Sequence, residues 1–220
     1  MQSTTIGINL AKSVFQLSVA DQQGMIHERH RLTRGQFQRY LARNEHSSLV
    51  MEACGTAHHW GRLACDLGHQ VTLLHPGYVK PYVRRNKTDA ADADALIQAA
   101  RDPELKPVPV KSIDQQALQS VHRIRQQVID TRKQRINIAR SLFAEFGVPL
   151  PRGTKDIVSR FRRHQDELPP VLVQVLEPVL DEINVLKDRI DAIDLMLKRY
   201  VKSQPVIERL TTVPGVGVIT

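Results

Sequence analysis

Asp89, Asp92 and Asp94 crowd the short stretch NKTDAADADAL, residues 86–96, in a chain whose formal net charge is +8. Two chemistries fit that pattern. Acidic residues complement the positive end of a helix and cap its free N–H groups, so the stretch reads as a helix start. Residues three apart also share one helical face, and on that reading Asp89 and Asp92 point two carboxylates at a divalent metal ion while Asp94 faces elsewhere, into solvent. Hard divalent cations take oxygen ligands, and two ions held by shared carboxylates activate a nucleophile and stabilise the leaving oxygen of a phosphodiester. Two acids on one helix do not suffice for this, so the remaining ligands must come from other elements.

Those elements are legible as alternations and periodicities. TTIGINLA places Ile6, Ile8 and Leu10 on one side of a strand and Gly7 and Asn9 on the other, and SVFQLSVA puts Phe15, Leu17 and Val19 on one face. DQQG supplies a turn and MIHERHRL a third, more polar strand, which makes a meander. A helix with Phe37, Tyr40 and Leu41 on its apolar stripe follows, then the compact strand SSLVMEA through Glu52. Next come a helix carrying Trp60, Leu63, Ala64 and Leu67 and the strand QVTLLHP. Three strands, then helix, strand, helix, strand is the order of an α/β RNase H-like domain with a mixed sheet. In such a sheet the first strand is central and the fourth ends beside it, so Asn9, Glu52 and the helix bearing Asp89 and Asp92 converge.

After PELKPVPV the character changes to a long-helix, coiled-coil-like all-α region. Residues 114–146 read as one helix with Leu118, Val121, Val128, Ala139, Leu142 and Phe146 on a broken heptad seam. A basic helix around TKDIVSRFRRH follows, then a cleaner seam through Leu176, Val179, Ile183, Leu186, Ile190, Ile193, Leu197 and Tyr200. The chain closes on LTTVPGVGVIT, read as the hairpin of a helix-hairpin-helix element. The expected organisation is a nuclease-type domain over 1–110, a basic helical domain for nucleic-acid binding and oligomerisation over 111–205, and the start of a further domain over 206–220.

Charge supports the middle assignment. Residues 111–164 hold twelve Lys and Arg against four acids, whereas 1–110 hold thirteen against ten and 165–220 six against nine. A local basic block is the electrostatic footprint of a phosphate-backbone partner, although a solvated helix face looks the same in a composition count. The expected nucleic-acid contacts are Lys12, Arg84, Arg85 and Lys87 beside the acids, and Arg123, Arg125, Arg132, Lys133, Arg135, Arg140, Arg162 and Arg163 in the helical region. Cys54 and Cys65, with His58 and His59 between them, match no zinc-ligand spacing and fit packing in a reducing compartment. No signal peptide or apolar run of membrane-spanning length is present, so a soluble, intracellular protein is expected.

Three separated pieces, IGINLAKSVFQL, MEACGTAHHW and NKTDAADADAL, in this order before long helices and LTTVPGVGVIT, resemble the DEDD (RuvC-like) transposases of insertion sequences, a family related to the Piv DNA invertases. The resemblance implies Glu52, Asp89 and Asp92 as catalytic metal-site acids with Mg2+ or Mn2+ as cofactor. It also implies guide-RNA-directed recombination of DNA by a dimer or tetramer in the bacterial cytoplasm, at the nucleoid. The family's first acid falls at Asn9, a neutral amide that lends an oxygen but no charge, so a metal is expected to bind more weakly. The resemblance places a nucleophilic serine beyond Thr220, and the chain as given is expected to be inactive alone. A catalytically silent nucleic-acid-binding module is the competing expectation. The first piece also resembles the first phosphate loop of an actin-like or sugar-kinase-like phosphotransferase, but that fold needs a second lobe with further glycine-rich phosphate loops, and none is read here.

Overall fold

The computed structural model describes residues 4–44, 46–83, 89–150, 152–153 and 156–219. The chain divides into two compact units, Met1–Gln116 and Ala117–Thr220. The first holds β1 (Thr5–Leu10), β2 (Val14–Ala20), β3 (Ile26–Thr33), α1 (Arg34–Arg43), β4 (Ser48–Glu52), α2 (Ala57–Asp66), β5 (Gln70–Leu74), α3 (Pro76–Val79) and α4 (Asp89–Ala100). The sheet order is β3-β2-β1-β4-β5. The first three strands are antiparallel, and β4 and β5 run parallel to β1. This is the mixed RNase H-like sheet that the order of elements predicts: a meander whose first strand becomes central once the helical crossovers add β4 and β5 on its other side.

Each face of the sheet has its own core, as period-two alternation requires. Ile6, Ile8, Phe15 and Leu17 meet Phe37 and Leu41 of α1 and Ala57, Trp60 and Ala64 of α2 on one face. Phe15, Phe37 and Trp60 pack edge to face there, with centroids 5.1 to 5.2 Å apart. On the other face Val50 and Leu74 pack with Ala95, Leu96 and Ala99 of α4. The helix lies so close to β1 that a Cβ added to Gly7 would stand 2.2 Å from the Ala93 carbonyl oxygen. Glycine at position 7 therefore sets how near α4 comes to the central strand.

The second unit is helical, with most of α5 (Ile113–Glu145), then α6 (Ile157–Arg163), α7 (Pro170–Lys202) and α8 (Pro205–Leu210). The partners Arg125–Asp194 and Arg135–Glu182 run in opposite senses along α5 and α7, so the two long helices are antiparallel. Leu176, Ile183, Leu186 and Leu197 of the α7 seam are buried as their spacing predicts. On α5 the seam is displaced: Ile136, Ala139 and Phe143 form the core, whereas Phe146 is 47% exposed. The helix ends at Glu145 and the chain turns at Gly147 (φ 82°), which takes Phe146 off the packed face. Phe143 instead stacks on Phe161 of α6, with centroids 5.3 Å apart. Among the described residues no helix is long and apolar enough to cross a membrane.

Candidate metal centre

The strand register brings the separate sequence pieces together. β1 and β4 pair in parallel up to Ile8 and Met51, and Asn9 and Glu52 follow as the next residue of each strand. Ile8 and Met51 belong to the core under α1 and α2, so alternation turns Asn9 and Glu52 to the opposite face, which α4 covers. Ala93 and Ile97 lie on Gly7, and the C-terminal part of α4 (Ile97, Ala100, Arg101) lines a small cavity of about 120 Å³ with Thr5 and Ser48 at the starts of the strands. The helix therefore runs opposite to β1, and its first turn points towards the strand ends that carry Asn9 and Glu52.

Helical geometry then separates the acids. At about 100° per residue, Asp92 and Asp94 leave opposite flanks of the line along which Ala93 touches Gly7. Asp94 turns to β2 and β3, where Ser18 Oγ donates to its Oδ1 at 2.5 Å and Arg29 donates to its Oδ2 at 2.9 Å. This corrects the expectation that Asp94 is solvated: Ser18 is fully buried and Arg29 opposes it in register, so a hydroxyl and a cation wait on the sheet for this carboxylate. Asp92, on the other flank, turns to the side of β4. Among the described residues neither the Glu52 nor the Asp92 carboxylate has a hydrogen-bond or ion-pair partner, and both residues are half-buried. Asp89 is the first residue of α4, and its side chain lies outside the described residues. Among the described residues no group of three or more His, Cys, Asp and Glu comes close enough to share a metal ion. The donor set that is described, two carboxylates and one amide oxygen, is the hard-oxygen chemistry of magnesium or manganese rather than of zinc.

Two polar residues absent from the sequence reading share this row: Asn9 pairs with Gln16, and Gln16 with Arg31, which is exposed. Only the register between strands could have revealed them. Lys12 is exposed in the turn after β1, and its carbonyl accepts from Arg34 Nη1 at 3.4 Å. The Arg34 guanidinium lies over the Trp60 ring, 5.3 Å from its centroid. Arg84, Arg85 and Lys87 lie outside the described residues. Their segment is entered at Tyr82, whose hydroxyl donates to Asp102 Oδ2 at 2.7 Å.

The basic helices divide into two groups. Arg125 is held by Asp194, Arg135 by Glu182, and Arg162 by both Glu177 and Asp181, with shortest distances of 2.5 to 2.7 Å. These carboxylate hydrogen bonds push the three guanidinium pKa values above their ordinary range. Arg140 donates to the Gly153 carbonyl oxygen. Arg123, Lys133 and Arg163 are exposed, and of these only Lys133 faces an acid, Asp130 at 3.8 Å. Arg132 is half-buried, with its Nε enclosed and lacking a hydrogen-bond partner among the described residues. The acids of α7 thus offset part of the charge that a local count assigns to residues 111–164.

A family model described as Transposase, of the DEDD IS110 type, matches residues 6–147. The chain belongs to this DEDD transposase family. A Pseudomonas aeruginosa protein named "Probable family 20 transposase" is 36% identical over 225 residues, which cover 100% of this chain and 67% of that protein. The transposase for insertion sequence element IS1328 of Yersinia enterocolitica is 34% identical over 219 residues, covering 99% of this chain and 65% of its own. The chain thus spans about two thirds of the length of these curated relatives. Among solved structures, the Thermus thermophilus RuvC structure aligns with 48% of this chain and 99% of its own at 14% identity and a TM-score of 0.37. The strand order of the sheet, not that weak likeness, carries the fold.

Proposed function

We propose that this chain is the metal-binding and nucleic-acid-binding part of an insertion-sequence transposase that cleaves and exchanges DNA strands under the direction of a guide RNA. The observation that carries the reading is the placement of Asn9 and Glu52 side by side at the strand ends, on the face that α4 covers with the Asp92 flank turned towards them. Glu52, Asp89 and Asp92 would hold Mg2+ or Mn2+ with help from the Asn9 amide, and the metal would supply polarisation of a phosphodiester and activation of its attacking oxygen. Asn9 and Glu52 would offer their oxygens from the ends of β1 and β4, and Asp89 and Asp92 theirs from the first turn of α4. The first 110 residues would serve as the nuclease-type domain and the basic helical region as the surface for DNA, guide RNA and a second copy. Strand exchange also calls for a nucleophilic serine, which the resemblance places after residue 220.

Asn9 favours a second reading, a nucleic-acid-binding chain without turnover, because a neutral ligand leaves two cations undercompensated. Both readings put residue 9 at the metal site, and Asn9→Asp tests that shared placement. Restoring the carboxylate is expected to tighten Mn2+ binding about tenfold, adding about 1.4 kcal/mol of metal-dependent stability at saturating metal. The measurement is a set of melting curves with and without Mn2+ for the parent, Asn9→Asp and Asp89→Ala. If Asn9→Asp gains no more from metal than the parent, residue 9 does not line a metal site.

Nucleic-acid binding is tested by salt. Of the expected contacts in the helical region, Arg123, Lys133 and Arg163 are exposed, and among the described residues only Lys133 of the three faces an acid. Replacing all three by alanine is expected to reduce the slope of log affinity against log salt by about 2 to 3 on duplex DNA. Replacing Arg125 and Arg135 should lower stability with a smaller change of slope. An unaltered slope in the triple variant would assign the basic block to solvation.

A further inference from the structure

The Asp94 cluster ties α4 to the sheet and supplies no ligand in the metal reading above. In one cross-strand row, Arg29 of β3 opposes Ser18 of β2, and Ser18 opposes Gly7 of β1. α4 crosses this row with Ala93 on Gly7 and Asp94 on the other two residues. Each contact restrains a different motion. The Gly7 contact fixes how close the helix comes, and the bonds to Ser18 and Arg29 fix its rotation about its own axis. Ser18 is fully buried, so without Asp94 its hydroxyl would lose its acceptor away from water. Arg29 is half-exposed, and its hydrogen bond with Asp94 raises the guanidinium pKa.

We infer that Asp94, through Ser18 and Arg29, is the positioning residue that sets the roll of α4 and thereby aims Asp92 at the Glu52 side of the site. The inference rests on the metal reading of Asn9, Glu52 and Asp92. Two flanks of one helix about 160° apart move together, so a helix released on the β2 side turns Asp92 away from β4. Asp94 itself touches no metal in this scheme; it acts as a carboxylate that orients a ligand-bearing element, in the manner of outer partners around metal ligands.

The test measures Mn2+ binding by the paramagnetic resonance of free Mn2+ in the whole chain and its variants, with melting curves to verify folding. Asp94→Ala is expected to weaken Mn2+ binding about tenfold. Asp94→Asn, which keeps an acceptor for Ser18, should recover part of the loss. Arg29→Gln removes only an exposed partner, so it leaves folding intact while loosening the same restraint, and it should weaken binding to a lesser degree. Asp92→Asn should abolish binding. If Asp92→Asn abolishes it while Asp94→Ala and Arg29→Gln both stay within twofold of the parent, the positioning role is overturned and the metal reading stands. If Asp92→Asn binds Mn2+ as the parent does, or the parent does not bind it, the metal reading fails and the positioning role falls with it.

Discussion

A Gly7→Ala chain is expected to unfold about 3 kcal/mol more easily than the parent, at the upper end of what overpacking costs. Two effects compete at this position. Replacing glycine inside a strand ordinarily gains roughly 0.5 to 1 kcal/mol, because less backbone freedom is lost on folding. Against that, the new methyl would sit 2.2 Å from the Ala93 carbonyl oxygen and 2.9 Å from Ile97 Cγ1. The first of these is helix backbone, which cannot swing aside as a side-chain end can, so α4 has to lift from the sheet. The loss wins because lifting α4 also loosens Leu96 and Ala99 from Val50 and strains the Ser18–Asp94 bond. Chemical denaturation of the two chains decides it. A Gly7→Ala chain as stable as the parent would mean that α4 does not rest on β1.

Phe143→Ala is expected to cost about 3 to 5 kcal/mol, the range for removing a fully buried aromatic side chain. Its ring stacks on Phe161 of α6 and belongs to the core that Ile136 of α5 and Leu176, Leu180 and Ile183 of α7 share. Phe146→Ala serves as the comparison, since that ring is 47% exposed and its removal should stay within about 0.5 kcal/mol. Both variants are followed by far-UV circular dichroism during denaturation, which reports the helical unit strongly. Equal losses in the two would restore the seam read from heptad spacing and contradict the packing seen around Phe161.

The strands, the long helices and the basic block follow from local pattern. Period-two alternation at Ile6, Ile8 and Leu10 and the three-four spacing through Leu176, Ile183 and Leu197 are properties of the chain itself, because side-chain direction repeats with the backbone geometry. The order of those elements was enough to name the sheet and to place Asn9, Glu52 and the Asp89–Asp92 helix at one end of it. Other features depended on which segments meet. Gly7 reads as a neutral alternation partner until α4 lies on it. Asp94 reads as a surface acid until the register puts Ser18 and Arg29 beneath it, 76 and 65 residues away along the chain. Arg125 and Arg135 count simply as members of the basic block until the antiparallel α7 brings Asp194 and Glu182 across from them. In each case the deciding contact lies outside the local window in which periodicity and charge can be counted. A carboxylate is solvated, paired with a cation or left for a metal according to what the fold sets against it, and composition carries no record of that.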